Sequence, residues 1–200
     1  MAKTKVAVLI SGRGSNLKAL IEACEDPSYP AEIVLVVSNN AKAGGLQHAQ
    51  DAGIETEVLD HRDFDSRDDF EDALDTLLRL YAVRFVCLAG FMRILTASFT
   101  ERWRDLLINI HPSLLPAFKG LHTHERALET GVRVHGCTVH YVRPEMDNGP
   151  IIGQAAVPVL HDDTPETLGA RVLTAEHQLF PQCVALACSG KARVAAEHVR

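Results

Sequence analysis

The chain has 200 residues, 46% hydrophobic and 23% charged, with a formal net charge of −6, which suits one domain spanning 1–200 with a sizeable core. The acidic balance argues against wholesale nucleic-acid binding but leaves room for a small anionic ligand in a local pocket. Five cysteines without a Cys-x-x-Cys spacing argue against a zinc ribbon or disulfide framework, and no apolar run nears the roughly 18 residues needed to cross a bilayer. Met1 to Lys5 leads directly into a strand-like run with no signal-peptide core, so the cytoplasm is the expected compartment and no membrane partner is expected.

Lys5–Ser11 is a short β-branched apolar run followed by a glycine-rich turn, and Asn16–Cys24 places Leu17, Leu20 and Ile21 on one helical face. Ile33–Ser38 is a second buried-looking strand, Ala43–Ala52 a short helix closed by Gly53, and Glu57–Asp60 a weaker third strand. Phe64–Tyr81 sets Phe70, Leu74, Leu77 and Leu78 against an acidic side, as in an amphipathic helix. Arg84–Gly90 and Leu106–His111 read as two more strands. Apolar strands alternating with helices predict an α/β fold, a mostly parallel twisted sheet with helices on both faces. Beyond Gly120 the pattern loosens: a helix over Thr123–Thr130, strands over Thr138–Val142 and Ile151–Val159, and a long helix over Pro165–Ser189. The tail after Ser189 is expected to be dispensable.

Ser11-Gly12-Arg13-Gly14-Ser15-Asn16 follows the first strand and opens the first helix. There, backbone N–H groups and the helix N-terminal partial charge can meet an anion; Ser15 and Asn16 can cap the helix or donate to phosphate oxygens. A dinucleotide fingerprint would need a glycine where Leu17 stands and an acid where Ser38-Asn39-Asn40 stands. A cradle for a single phosphate and a plain capped turn both remain open on this motif.

Leu106-Leu107-Ile108-Asn109-Ile110-His111-Pro112 is the most informative stretch. Residues two apart on a strand share a face, so Asn109 and His111 point together, opposite Ile108 and Ile110. Pro112 ends the ladder and puts the pair at a carboxyl edge, where open α/β sheets bind ligands. An amide donor beside an imidazole suits a reaction that develops an oxyanion and moves a proton; two polar residues bonding a loop would look the same. Asp147, in Met146-Asp147-Asn148-Gly149-Pro150, offers a carboxylate, although Asp-Asn-Gly alone reads as a turn. A carboxylate beside an imidazole favours the imidazolium. By pattern alone Met92 and Ile94 read as core. His122 and His124 have no evident third partner for a metal, and no Gly-x-Ser-x-Gly elbow is present.

Taken together, SGRGSN (11–16), LAGFMRIL (88–95), NIHPSLLP (109–116), GLHTH (120–124) and MDNGPII (146–152) resemble the phosphoribosylglycinamide formyltransferases, a folate-dependent family, from Val6 to about Ser189. The resemblance implies a Rossmann-like formyltransferase fold with an antiparallel C-terminal part. It implies catalysis by Asn109, His111 and Asp147, and a ribonucleotide site from Gly14, Ser15, Asn16 and Glu176. It also implies folate contacts from Arg67, Met92, Arg93, Ile94, Leu95 and Asn109, with 10-formyltetrahydrofolate as co-substrate, glycinamide ribonucleotide as acceptor and no metal. The protein would act as a monomer or homodimer. Ala117-Phe118-Lys119 departs from the aromatic-proline pair that the family often has there, which leaves the course of that loop open. A methionyl-tRNA formyltransferase would be expected to carry a basic second domain, and a formyltetrahydrofolate hydrolase an N-terminal regulatory module. A nucleotide-binding module without activity would explain the glycine turn but not the three polar residues.

Overall fold

A computed structural model describes residues 2–200. Nine strands run in chain order as β1 (Thr4–Ile10), β2 (Ala31–Ser38), β3 (Thr56–Val58), β4 (Phe85–Leu88), β5 (Leu107–His111), β6 (Val134–Tyr141), β7 (Ile151–Pro158), β8 (Val194–Ala195) and β9 (His198–Val199). The helices are α1 (Ser15–Cys24), α2 (Gly45–Asp51), α3 (Arg67–Leu80), α4 (Ala97–Arg102), α5 (Thr123–Thr130) and α6 (Pro165–Cys188). Seven strands form one sheet in the order β3-β2-β1-β4-β5-β6-β7. β1 through β5 pair in parallel, and β5-β6 and β6-β7 are antiparallel. This is the mixed α/β sheet that the strand-helix alternation predicts.

The alternation of β1 divides the core in two. Val6, Val8 and Ile10 join Leu17, Leu20, Ile108, Ile110, Val172 and Phe180 on the face covered by α1, α2 and α6. Ala7 and Leu9 join Phe70, Leu74, Leu78, Phe99 and Trp103 under α3 and α4. Burial on both faces explains why these strands are continuous apolar runs. Local chemistry sets the helix starts. Ser66 accepts from the Asp69 amide at the head of α3, so Phe64, read as helical, lies outside it. Thr164 and Thr167 form a reciprocal capping box before α6, with Pro165 in the first turn.

The structure adds detail in three places. β6 begins at Val134, four residues before Thr138, because His135 and Gly136 pair with Val157 and Ala156 across the sheet. α4 was not read from the sequence; its signal is Thr96, whose hydroxyl accepts from the Phe99 amide. The tail after Ser189, expected to be dispensable, forms the β8-β9 hairpin and is anchored. Glu197 binds Arg104 at 2.5 Å and the buried Arg143 at 2.7 Å, and the Tyr141 hydroxyl donates to Ala192 O at 2.8 Å.

Candidate active site

β1, β4 and β5 end side by side, and the loops leaving their carboxyl ends build the site. Ser11 joins the ends of β1, β2 and β4. Its Oγ donates to Asn39 Oδ1 at 2.6 Å and accepts from the Met92 amide at 2.8 Å, while its own amide bonds Gly90 O at 3.1 Å.

The glycine turn is set by Gly14, whose φ of 72° is left-handed and whose Cβ, were there one, would lie 2.5 Å from Gly45 Cα. Only glycine meets both demands. Gly14 is the N-cap of α1 and supplies no side-chain cap; Ser15 and Asn16 lie within the helix, not capping it as the sequence suggested. The first-turn N–H groups therefore have no intrahelical acceptor and face outward with the positive end of the helix. A cavity of about 430 Å³ beside them has Ser15, Arg13, Lys18, Glu22 and His177 among its walls, with Lys18 paired to Glu22 at 3.6 Å and Arg13 left to meet an anion. Asn16 is buried and its Nδ2 donates to Glu176 Oε2 at 2.7 Å, while its Oδ1 is buried without a partner. Burial pushes the Glu176 carboxyl above its ordinary value, with the Asn16 bond opposing.

Asn109 and His111 lie on one face of β5, opposite Ile108 and Ile110. Asp147 reaches them from the loop between β6 and β7, 3.5 Å from His111 Nδ1 through Oδ2. The loop turns back because Gly149 lies against the end of β6; a Cβ there would sit 1.6 Å from Tyr141 O. Asp147 adopts a φ of 51°, and its Oδ2 accepts from the Gly120 amide at 2.8 Å. Both side chains are nearly buried, 7% and 11% exposed, so solvent screens their attraction weakly.

His111 Nε2 lies 3.1 Å from Phe118 O. A carbonyl only accepts, so Nε2 carries a proton, while Nδ1 faces Asp147. His140, opposite Asn109 on β6, settles the amide. Its Nδ1 lies 3.0 Å from Tyr141 O and so donates, which leaves Nε2 to accept from Asn109 Nδ2 at 3.3 Å. Burial lowers the His140 pKa and keeps it neutral in this role. The second N–H of Asn109 is left uncommitted. His140 and Phe118 were not singled out from the sequence. The cross-strand pairing of His140 with Asn109 is the signal that would have found the first.

Arg67, Arg93 and Ile94 come together around a cavity of about 260 Å³ with Phe64, Phe70 and Glu71. The Glu71 carboxylate accepts from the Thr96 amide at 2.7 Å and from its hydroxyl, fixing the segment after Leu95. Met92 and Ile94 are 62% and 66% exposed, so reading them as core is wrong; Leu95 is the buried member of that run. His122 pairs with Glu125 at 2.7 Å, whereas His124 turns to His135 at 3.2 Å. Among the described residues no cluster of three or more histidine, cysteine or acidic side chains is placed to hold a metal, and no helix is long and apolar enough to cross a membrane.

A family model described as formyl transferase matches residues 4–184, from β1 through most of α6. The chain is 45% identical to the phosphoribosylglycinamide formyltransferase of Escherichia coli (strain K12), covering 94% of this chain and 89% of that one. It is 54% identical to the trifunctional purine biosynthetic protein adenosine-3 of Gallus gallus over 96% of its own length, but spans only 19% of that relative. The crystal structure of glycinamide ribonucleotide transformylase 1 from Symbiobacterium toebii superposes with a TM-score of 0.96 at 43% identity, covering 99% of this chain and 93% of that one. With sheet, connecting loops and polar cluster all inside the matched span, the chain belongs to the formyl transferase family.

Proposed function

We propose that the chain transfers the formyl group of 10-formyltetrahydrofolate to the amine of N1-(5-phospho-D-ribosyl)glycinamide, giving N-formylglycinamide ribonucleotide and tetrahydrofolate in purine synthesis. The observation that carries this reading is the meeting of His111 and Asp147 at the carboxyl edge of β5, beside Asn109 on the same strand face. The turn takes the phosphate on the free amides of α1. Asn16 Oδ1 and Glu176 are acceptors for ribose hydroxyls. Met92 and Ile94 are apolar and exposed enough to meet a flat ring system, while Arg67 and Arg93 suit the acidic end of the folate.

The neutral amine attacks the formyl carbon, and the carbonyl oxygen becomes an oxyanion as the tetrahedral intermediate forms. The uncommitted Asn109 N–H stabilises that oxygen. The new ammonium loses a proton, N10 gains one by way of His111 Nδ1, and the C–N10 bond breaks. Asp147, 3.5 Å from that nitrogen, stabilises the imidazolium while it holds the proton. No covalent enzyme intermediate forms, and alignment of the two substrates supplies much of the remaining acceleration.

Substitution by alanine at Asn109, His111 or Asp147 is expected to lower kcat by about 10² or more with the fold intact. Steady-state kinetics with circular dichroism checks this. A His111→Ala protein turning over at the wild-type rate would remove the proton-transfer role.

A further inference from the structure

The loop from Ala117 to His122 carries the carbonyl that sets His111, and its backbone is held against its own preference. Phe118, Gly120 and His122 have φ values of 53°, 80° and 56°, so left-handed residues alternate along it, and two of them are side-chain-bearing residues that disfavour this region. Such a path persists only where its surroundings over-determine it. Two latches join it to the Asp147 loop: the Gly120 amide to Asp147 Oδ2 at 2.8 Å, and Lys119 Nζ to Asn148 Oδ1 at 2.7 Å.

The third hold is Arg126, an exposed residue on α5. Rather than reaching into water, its Nη1 donates to Lys119 O at 2.6 Å and Leu121 O at 3.3 Å. Its guanidinium lies over the Phe118 ring, 5.7 Å from the centroid, a favourable cation-π distance. The same ring packs at 78° against buried His135, with centroids 5.8 Å apart. One side chain thus fixes the carbonyls at 119 and 121 and the ring at 118. The carbonyl one residue before the first of them, Phe118 O, points at His111 Nε2, 3.1 Å away.

We propose that Arg126 is a positioning residue for the reaction: by clamping the 117–122 loop it holds Phe118 O on His111 Nε2, fixing the tautomer that leaves Nδ1 free to work with Asp147. This rests on the proposed role of His111. The substrates need not touch Arg126, so its contribution belongs to kcat rather than to binding.

The test compares Arg126→Ala, Arg126→Lys and His111→Ala by steady-state kinetics, thermal melting and ¹⁵N NMR of histidine-labelled protein. Arg126→Ala is expected to lower kcat about 10- to 100-fold, the scale for a misplaced catalytic group, with KM for either substrate within about twofold and the melt nearly unchanged. The His111 Nε2–H signal should broaden by exchange or give way to a tautomer mixture. Arg126→Lys, which keeps a donor within reach of both carbonyls, should recover most of kcat and restore the signal. Wild-type kcat in Arg126→Ala overturns the inference. So does an unchanged His111 tautomer beside a lowered kcat, or a loss that tracks the melt and that lysine does not restore. A slow His111→Ala beside a wild-type Arg126→Ala defeats only this inference, whereas an active His111→Ala defeats the functional reading itself.

Discussion

At Glu176, a carboxylate sits in a place that water barely reaches. Its residue is 6% exposed and its one polar partner is an amide, Asn16 Nδ2 at 2.7 Å. Burial raises its pKa above the ordinary 4.5, so between 4.5 and the raised native value the native state binds more protons than the unfolded chain. Stability therefore falls as pH rises through that interval. Glu176→Gln removes the charge and keeps an acceptor for Asn16. It is expected to melt higher than wild type near pH 7.5, with the advantage shrinking to nothing as the pH falls to about 4. Equal melting temperatures at pH 7.5 would contradict a buried charge there. His135 shows the opposite case, its pKa lowered to about 4 chiefly by burial, with the nearby His124 adding to the effect. In the window from its ordinary 6.5 down to about 4 the unfolded chain binds more protons. Its contribution to stability is thus present above 6.5 and lost on acidification, and His135→Phe is expected to flatten the fall of melting temperature over that range.

Among the elements, the strand-turn-helix unit of β1 and α1 was the most legible, because an apolar run, two glycines and a helical apolar stripe specify it locally. Ser15 and Asn16 were read as possible caps; the left-handed Gly14 takes the cap position instead and leaves the first-turn amides free. Gly14→Ala places a methyl 2.5 Å from Gly45 Cα in a left-handed residue. It is expected to cost at least about 1–2 kcal/mol in urea unfolding from the backbone alone. Ser15→Ala leaves the backbone path intact and should weaken ribonucleotide binding by about 1.5–3 kcal/mol, as for a hydrogen bond to a charged group. It should leave folate affinity nearly unchanged. Calorimetric titration with each ligand separates the two, and equal losses for both would contradict the cradle. β5 was equally legible, since a period of two puts Asn109 and His111 on one face. The partners of those residues were not: His140 meets Asn109 only through the antiparallel register of β5 and β6, 31 positions away. Phe118 reaches His111 only through a loop whose left-handed residues no sequence pattern announces.

For the molecule as a whole, apolar runs separated by helical stripes were enough to read the parallel half of the sheet. The C-terminal hairpin was not readable, because its anchors are ion pairs between residues far apart in sequence. Glu197 meets Arg104 and Arg143, and Arg143 Nη2 also binds Asp105 at 2.6 Å. Arg143 stands where the chain leaves β6 for the Asp147 loop, so the hairpin fastens the base of that loop. Ending the chain at Gly190 is expected to lower the melting temperature by several degrees and to reduce kcat more than it changes KM for the ribonucleotide; an unchanged melt and rate would make the tail dispensable after all. The architecture as a whole brings the start of α1, the Asn109, His111 and Asp147 cluster and the Arg67–Arg93 cavity to the carboxyl side of one sheet, and the choice of acceptor is the point to test. The most direct test offers 10-formyltetrahydrofolate together with glycinamide ribonucleotide, its dephosphorylated ribonucleoside, charged initiator tRNA, or water alone, and follows tetrahydrofolate and formate. The account predicts rapid formylation of the ribonucleotide alone, with the dephosphorylated acceptor slower by several kcal/mol of transition-state binding, of order 10² or more in kcat/KM. Formate release at a comparable rate without acceptor, or preference for the charged tRNA, would contradict it.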